Sequence, residues 1–121
     1  MSRKSLRVAD YLEHVLKAVE RIERYMSDVD FDAFVESEMT QDAVIRNLEV
    51  IGEACRNIER VDPDFAAKHP DLPLRSAKEM RNVLTHGYFG VDLAVVWRTV
   101  RTNLPVLKAQ VRKASPRSGA D

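Results

Sequence analysis

Within eight residues, Arg81 to Tyr88, the chain places an arginine, an asparagine, a threonine, a histidine and a tyrosine. Histidine exchanges a proton near neutral pH. Arginine carries a permanent charge on a planar fork that grips two oxygens of one anion. An Arg-x4-His pair can therefore move a proton beside a developing negative charge. On a helix with Arg81 at zero, Asn82 falls at about 100°, Thr85 at about 40°, His86 at about 140° and Tyr88 at about 340°. Ala77, Met80, Val83, Leu84 and Gly87 fall together between about 200° and 320°. The polar groups thus form one broad patch beside a narrow apolar arc. Spacing alone leaves two readings open, a reactive site and an ordinary solvated helix face, because an Arg-x4-His spacing also arises by chance.

The remaining residues must fold so as to position that patch. The 121 residues amount to one domain, with 45% hydrophobic and 31% charged side chains, the balance of a globular protein with a real core. Nineteen basic and nineteen acidic residues cancel, which argues against a protein that coats nucleic acid through a general basic excess. Any such contact is expected as a local patch. The single Cys55 leaves no internal disulfide and fits a reducing compartment. No apolar run approaches the roughly 18 residues of a membrane span, and the opening MSRKSLRVAD lacks the apolar segment of a secretory signal. The expectation is a soluble, cytoplasmic protein without membrane contact.

Apolar residues from Val8 through Leu12, Val15, Val19 and Ile22 to Met26 step by threes and fours and predict a first long helix. Asp28 to Ser37 reads as a loop with one short helical turn. Thr40 is the expected N-cap of a second long helix with a core stripe of Val44, Leu48, Ile51, Cys55 and Ile58. Gly52 inside that helix costs about 1 kcal/mol against alanine, a cost usually tied to close approach by a neighbouring helix. Pro63, Pro70 and Pro73 make a stiff connector. The third helix starts near Leu74 and carries the Arg81–Tyr88 patch. Asp92 is the expected N-cap of a fourth, with Val91 and Val96 spaced as a hydrophobic staple and a kink at Pro105. The fold class is therefore all-α, an up-and-down four-helix bundle with a helical turn or two in its connectors. A single domain is expected over residues 1–113, with a disordered polar tail over 114–121.

Other chemistries find little support. There is no Cys/His ligand set, no Gly-rich phosphate loop and no serine-hydrolase elbow, so neither a metal site nor a cofactor is expected. His14 and His69 lie far from the patch in sequence and read as surface or packing residues. Cys55, Trp97 and Leu104 fall on apolar stripes and read as core.

The stretch RNVLTHGYFGVD resembles the Arg-x4-His-x-Tyr signature of the HEPN superfamily, and specifically its HepT-like toxin branch. QDAVIRNLEVIGEACRNI, from Gln41 to Ile58, is similar to that family's second helix, and LAVVWRTVRTNLPVL to its last. The likeness runs from about Val8 to Val111. Family members often carry a tryptophan after the connector proline, where this chain has Leu74. The resemblance implies a dimeric helical bundle acting as a metal-independent endoribonuclease toxin of a toxin–antitoxin pair. It implies Arg81 and His86 as the catalytic pair and Asn82 as their support. It further implies RNA as substrate and, as antitoxin, an MntA-like nucleotidyltransferase that transfers AMP from ATP to Tyr88.

That chemistry is self-consistent, because RNA supplies the ribose 2′-hydroxyl as its own nucleophile. Acid–base cleavage works best with one group taking a proton and another giving one, yet the motif holds a single histidine. A two-fold dimer pairing the third and fourth helices would bring two motifs into one cleft. Two other readings stay open: a non-catalytic partner that presents substrate to a nucleotidyltransferase, and a helical module whose motif only builds a dimer contact.

Overall fold

A computed structural model describes residues 2–86 and 90–115, without the side chains of Val83, Thr85 and His86. All regular structure among the described residues is helical: α1 (Arg3–Tyr25), α2 (Phe31–Glu36), α3 (Glu38–Val61), α4 (Pro63–Lys68), α5 (Leu74–His86), α6 (Leu93–Arg98) and α7 (Leu104–Ala114). A π-helical turn, Thr99–Asn103, joins α6 to α7 without a break in helical backbone. The architecture is the expected all-α bundle, with α2 and α4 as the extra turns in the connectors. No helix among the described residues is long and apolar enough to cross a membrane.

The long α3 is the central element and packs against α1 and against α5, while α7 closes on α1. Leu12, Val15, Val19 and Ile22 of α1 meet Val44, Ile51, Cys55 and Ile58 of α3 and Leu107 and Val111 of α7 in one buried cluster. These are the residues that step by threes and fours in the sequence. Each such side chain taken from water contributes about 1.5–3 kcal/mol, which is what holds the helices together against the entropy of ordering the chain. The aromatic pair Phe31 and Phe34 of α2 leans on Trp97, with ring centroids 5.6 and 5.9 Å away. The Arg101 guanidinium lies 4.4 Å from the Trp97 ring centroid. The short α2 is thereby pinned to the α6 end of the bundle.

Two local features refine the expectation. The cap of α3 is Ser37, three residues before Thr40: the Ser37 hydroxyl oxygen accepts the Thr40 backbone N–H at 3.2 Å. Ser37 also ends α2, so one residue turns the chain between two helices, and Thr40 falls within the first turn. The second concerns the surroundings of Pro105. Proline lacks the N–H of an α-helical bond and its ring crowds the carbonyl four residues back. The wider π turn just before it, with i→i+5 bonding, relieves that conflict while both flanking residues, Arg98 and Leu104, keep right-handed helical backbone. Thr99 marks where the regular ladder loosens, its hydroxyl donating to the Val95 carbonyl at 2.8 Å. Pro105 thus stands in the first turn of α7, where a missing N–H costs least.

Candidate functional site

The site is built where α5 lands on α3. Gly52 has no side chain, and a Cβ placed there would overlap Arg81 Cβ and lie 2.8 Å from the Ala77 carbonyl oxygen. The missing methyl lets the two backbones approach so closely that Arg81 rests directly on α3. This is the neighbour that Gly52 demands. The Arg81 side chain is 28% exposed, with its stem on the helix contact and its charged head towards solvent.

Two neighbours hold that head. Arg81 Nη1 donates to Asn82 Oδ1 at 3.2 Å, and Arg81 Nη2 stands 3.4 Å from Glu53 Oε2. The other carboxylate oxygen of Glu53 takes Arg56 Nη1 at 3.2 Å. Arg81 and Glu53 also line an open groove of about 370 Å³ together with His14, Arg46 and Asn57. The groove draws on α1, α3 and α5, so it gathers residues up to 67 positions apart in the chain.

The structure thus brings Arg81 and Asn82 into contact. His86 is the final residue of α5, about 7.5 Å further along the helix axis at 1.5 Å per residue. Tyr88 lies outside the described residues. Beyond it, Gly90 adopts φ +109°, a backbone conformation that side-chain-bearing residues avoid. The chain then enters α6 through Asp92, whose Oδ1 accepts the Ala94 and Val95 N–H groups as the sequence predicts. Sequence spacing gave no sign of Glu53, Arg46, Asn57 or His14 at this place. Gly52 was the available clue, because a helical glycine that admits a neighbour also puts its adjacent residue beside that neighbour.

The other titratable candidates separate cleanly. His69 stacks on Phe65, ring centroids 4.1 Å apart, and its Nδ1 lies 3.0 Å from the Phe65 carbonyl oxygen; it is a packing residue at the end of α4. Cys55 is fully buried. Burial, and next the nearby Glu59 charge, push its thiol from the ordinary 9.0 up to about 12. A nucleophilic thiolate at neutral pH is therefore excluded at this position. The unfolded chain ionises this thiol first, so the stability that neutral burial contributes is intact below about pH 9 and is lost as pH rises towards 12. Cys55 is expected to resist aromatic disulfide reagents in the native protein and to react at once in denaturant. Cys55→Ala should reduce the slope of alkaline unfolding between those pH values; rapid native labelling would contradict the assignment.

With the bundle and the Arg81 seat in view, the chain's relatives are informative. A family model described as Ribonuclease HepT-like matches residues 15–114. The "Probable ribonuclease HepT" of Thermococcus cleftensis is 45% identical over 104 residues, covering 86% of this chain and 92% of that protein. The "Putative RNase MJ1380" of Methanocaldococcus jannaschii is 34% identical over 111 residues, 92% of this chain and 97% of that protein. A longer protein of the same organism, "Gamma-glutamylcyclotransferase and putative RNase MJ0434", is 40% identical over 111 residues, 92% of this chain but 48% of its own length. No solved structure matches significantly. The chain belongs to the HepT-like ribonuclease family.

Proposed function

We propose that this chain is an endoribonuclease, the toxin of a toxin–antitoxin pair, that cuts cytoplasmic RNA at a dimer cleft with Arg81 and His86 as its reacting pair. The observation that carries the proposal is the placement of Arg81. A family ribonuclease holds this cation at the lip of an open groove, on the same helix that ends at His86. The 2′-oxygen of RNA attacks the adjacent phosphorus while the bond from phosphorus to the 5′-oxygen breaks. The 2′-hydroxyl gives up a proton and the departing 5′-oxygen gains one, leaving a 2′,3′-cyclic phosphate and a free 5′-hydroxyl. An imidazole suits either transfer near neutral pH. Arg81 offers its fork to the non-bridging oxygens as their charge grows, and Asn82 steadies that fork. These steps call for no metal ion.

One histidine per motif favours two copies in the working unit. An apolar groove of about 290 Å³ runs between α5 and α7 over α3, lined by Ile51, Ala77, Met80, Val106 and Leu107 among others. Val106 is 55% exposed. A second copy seated there would cover this apolar surface and set two α5 helices near one another.

Purified protein free of any partner is expected to cut cellular RNA at an unchanged rate in EDTA. A single 2′-deoxy substitution at the cut site should abolish cleavage there, because the nucleophile is gone. Equal cutting of the deoxy analogue, or loss of activity in EDTA that a divalent ion restores, would refute the mechanism. A protein that binds a nucleotidyltransferase but never cuts RNA would favour the non-catalytic partner instead.

A further inference from the structure

We infer that Glu53 is a positioning residue for Arg81, fixing the guanidinium at the groove where a substrate phosphate arrives; the inference rests on the ribonuclease reading above. Gly52 sets only the stem of Arg81, by excluding any Cβ between the two helices. An arginine held at its stem alone keeps several rotatable bonds, and its fork would sample many directions. Glu53, the next residue on α3, supplies a further constraint at Nη2, while the chain neighbour Asn82 takes Nη1.

The carboxylate is itself placed with care. Its Oε1 faces Arg56 at 3.2 Å, while its Oε2 is sealed from solvent and has no hydrogen-bond partner among the described residues. What faces Oε2 is Arg81 Nη2 at 3.4 Å, an ion pair longer than a good charge-assisted hydrogen bond. Its length leaves Arg81 short of full engagement. Arginine has five N–H donors, and the contacts to Glu53 and Asn82 leave others for two phosphate oxygens. Both side chains keep substantial exposure, 28% for Arg81 and 41% for Glu53, and exposed pairs of this kind add little to stability. Orientation is the effect that such a pair can deliver.

The geometry has a kinetic signature. Glu53 competes mildly with phosphate for Arg81, so removing it should not weaken ground-state binding. It should lower the rate of the chemical step, because a misplaced fork no longer tracks the transition state. In single-turnover cleavage of an RNA oligonucleotide, Glu53→Ala is expected to lower the maximal rate about 100-fold, with KM within about twofold of wild type. Glu53→Gln, which keeps the shape and one acceptor, should fall between, at about tenfold. Added to Arg81→Ala, Glu53→Ala should cause no further loss, the mark of two residues acting as one unit. A second readout is independent of cleavage: the Arg81 Nε–H resonance should be sharp and slow to exchange with water in wild type and broadened in Glu53→Gln. An unchanged rate, a raised KM at unchanged rate, multiplicative losses, or an unaltered Arg81 resonance would each overturn the assignment. Should Glu53→Ala fail to fold, Glu53→Gln carries the same readings. A wild type that cuts no RNA would remove the ribonuclease reading, and the resonance would still decide whether Glu53 orients Arg81.

Discussion

Arg81→Ala and His86→Ala should each reduce RNA cleavage by about 10² to 10⁴-fold, the range seen when a charge-stabilising donor or a proton-transfer group is removed. Neither change should unfold the bundle. Alanine keeps the Cβ that rests over Gly52, so the α3–α5 approach is preserved. The loss at Arg81 removes the cation facing Glu53 Oε2, which, for a carboxylate side chain 41% exposed, costs no more than about 1 kcal/mol. For a domain of this size that is a shift of at most several degrees in Tm, with the helical signal retained. Mixing the two inactive variants adds a test of the composite cleft. A heterodimer that joins an intact Arg81 to an intact His86 should regain some cleavage, whereas either single variant alone stays silent. Full activity in Arg81→Ala, or a strictly monomeric active enzyme, would end the two-copy proposal.

AMP transfer to Tyr88 is expected to silence the enzyme completely, and Tyr88→Phe to make it immune. Tyr88 follows by two residues the end of α5 at His86, on the segment that begins from Arg81's own helix. An adenylyl group on its phenolic oxygen adds a phosphodiester charge, a ribose and a base beside the cation. That group would occupy Arg81 as an RNA phosphate does, so inhibition is electrostatic and steric at once. Incubated with ATP and a partner nucleotidyltransferase, wild type should gain AMP mass on the Tyr88 peptide and lose cleavage. Tyr88→Phe keeps the ring, lacks the acceptor oxygen, and should gain no mass there while remaining active. Equal modification and equal silencing of the variant would remove Tyr88 from the switch.

The bundle was legible because its signals are local and periodic. Val44, Leu48, Ile51, Cys55 and Ile58 announce the buried face of α3, and Asp92 announces the start of α6. Ser37 was missed because Thr40 is an equally good cap by residue type. Only the chain's reversal out of α2 decides between them. At Pro105 the sequence points to a kink but not to the π turn that precedes it, while the apolar stripe continues to pack through Val100 and Leu104. The site was half legible. Arg81 and Asn82 are neighbours on one helix, so their meeting follows from spacing. Glu53 reaches Arg81 across a helix contact, and His14 and Arg46 reach the groove from two further directions. No periodicity encodes those distances, which depend on how closely α5 settles on α3.

Gly52 also limits how this protein could be made to withstand heat. Replacing a mid-helix glycine with alanine is among the simplest stabilising changes known, worth about 1 kcal/mol in helix propensity and reduced freedom of the unfolded chain. At this position the added methyl would collide with Arg81 Cβ and press on the Ala77 carbonyl. The helix that gained would push away the one bearing Arg81. Helix propensity and interhelix packing are therefore set against each other at a single hydrogen atom, and a hardier version of this chain must be sought at sites away from that crossing.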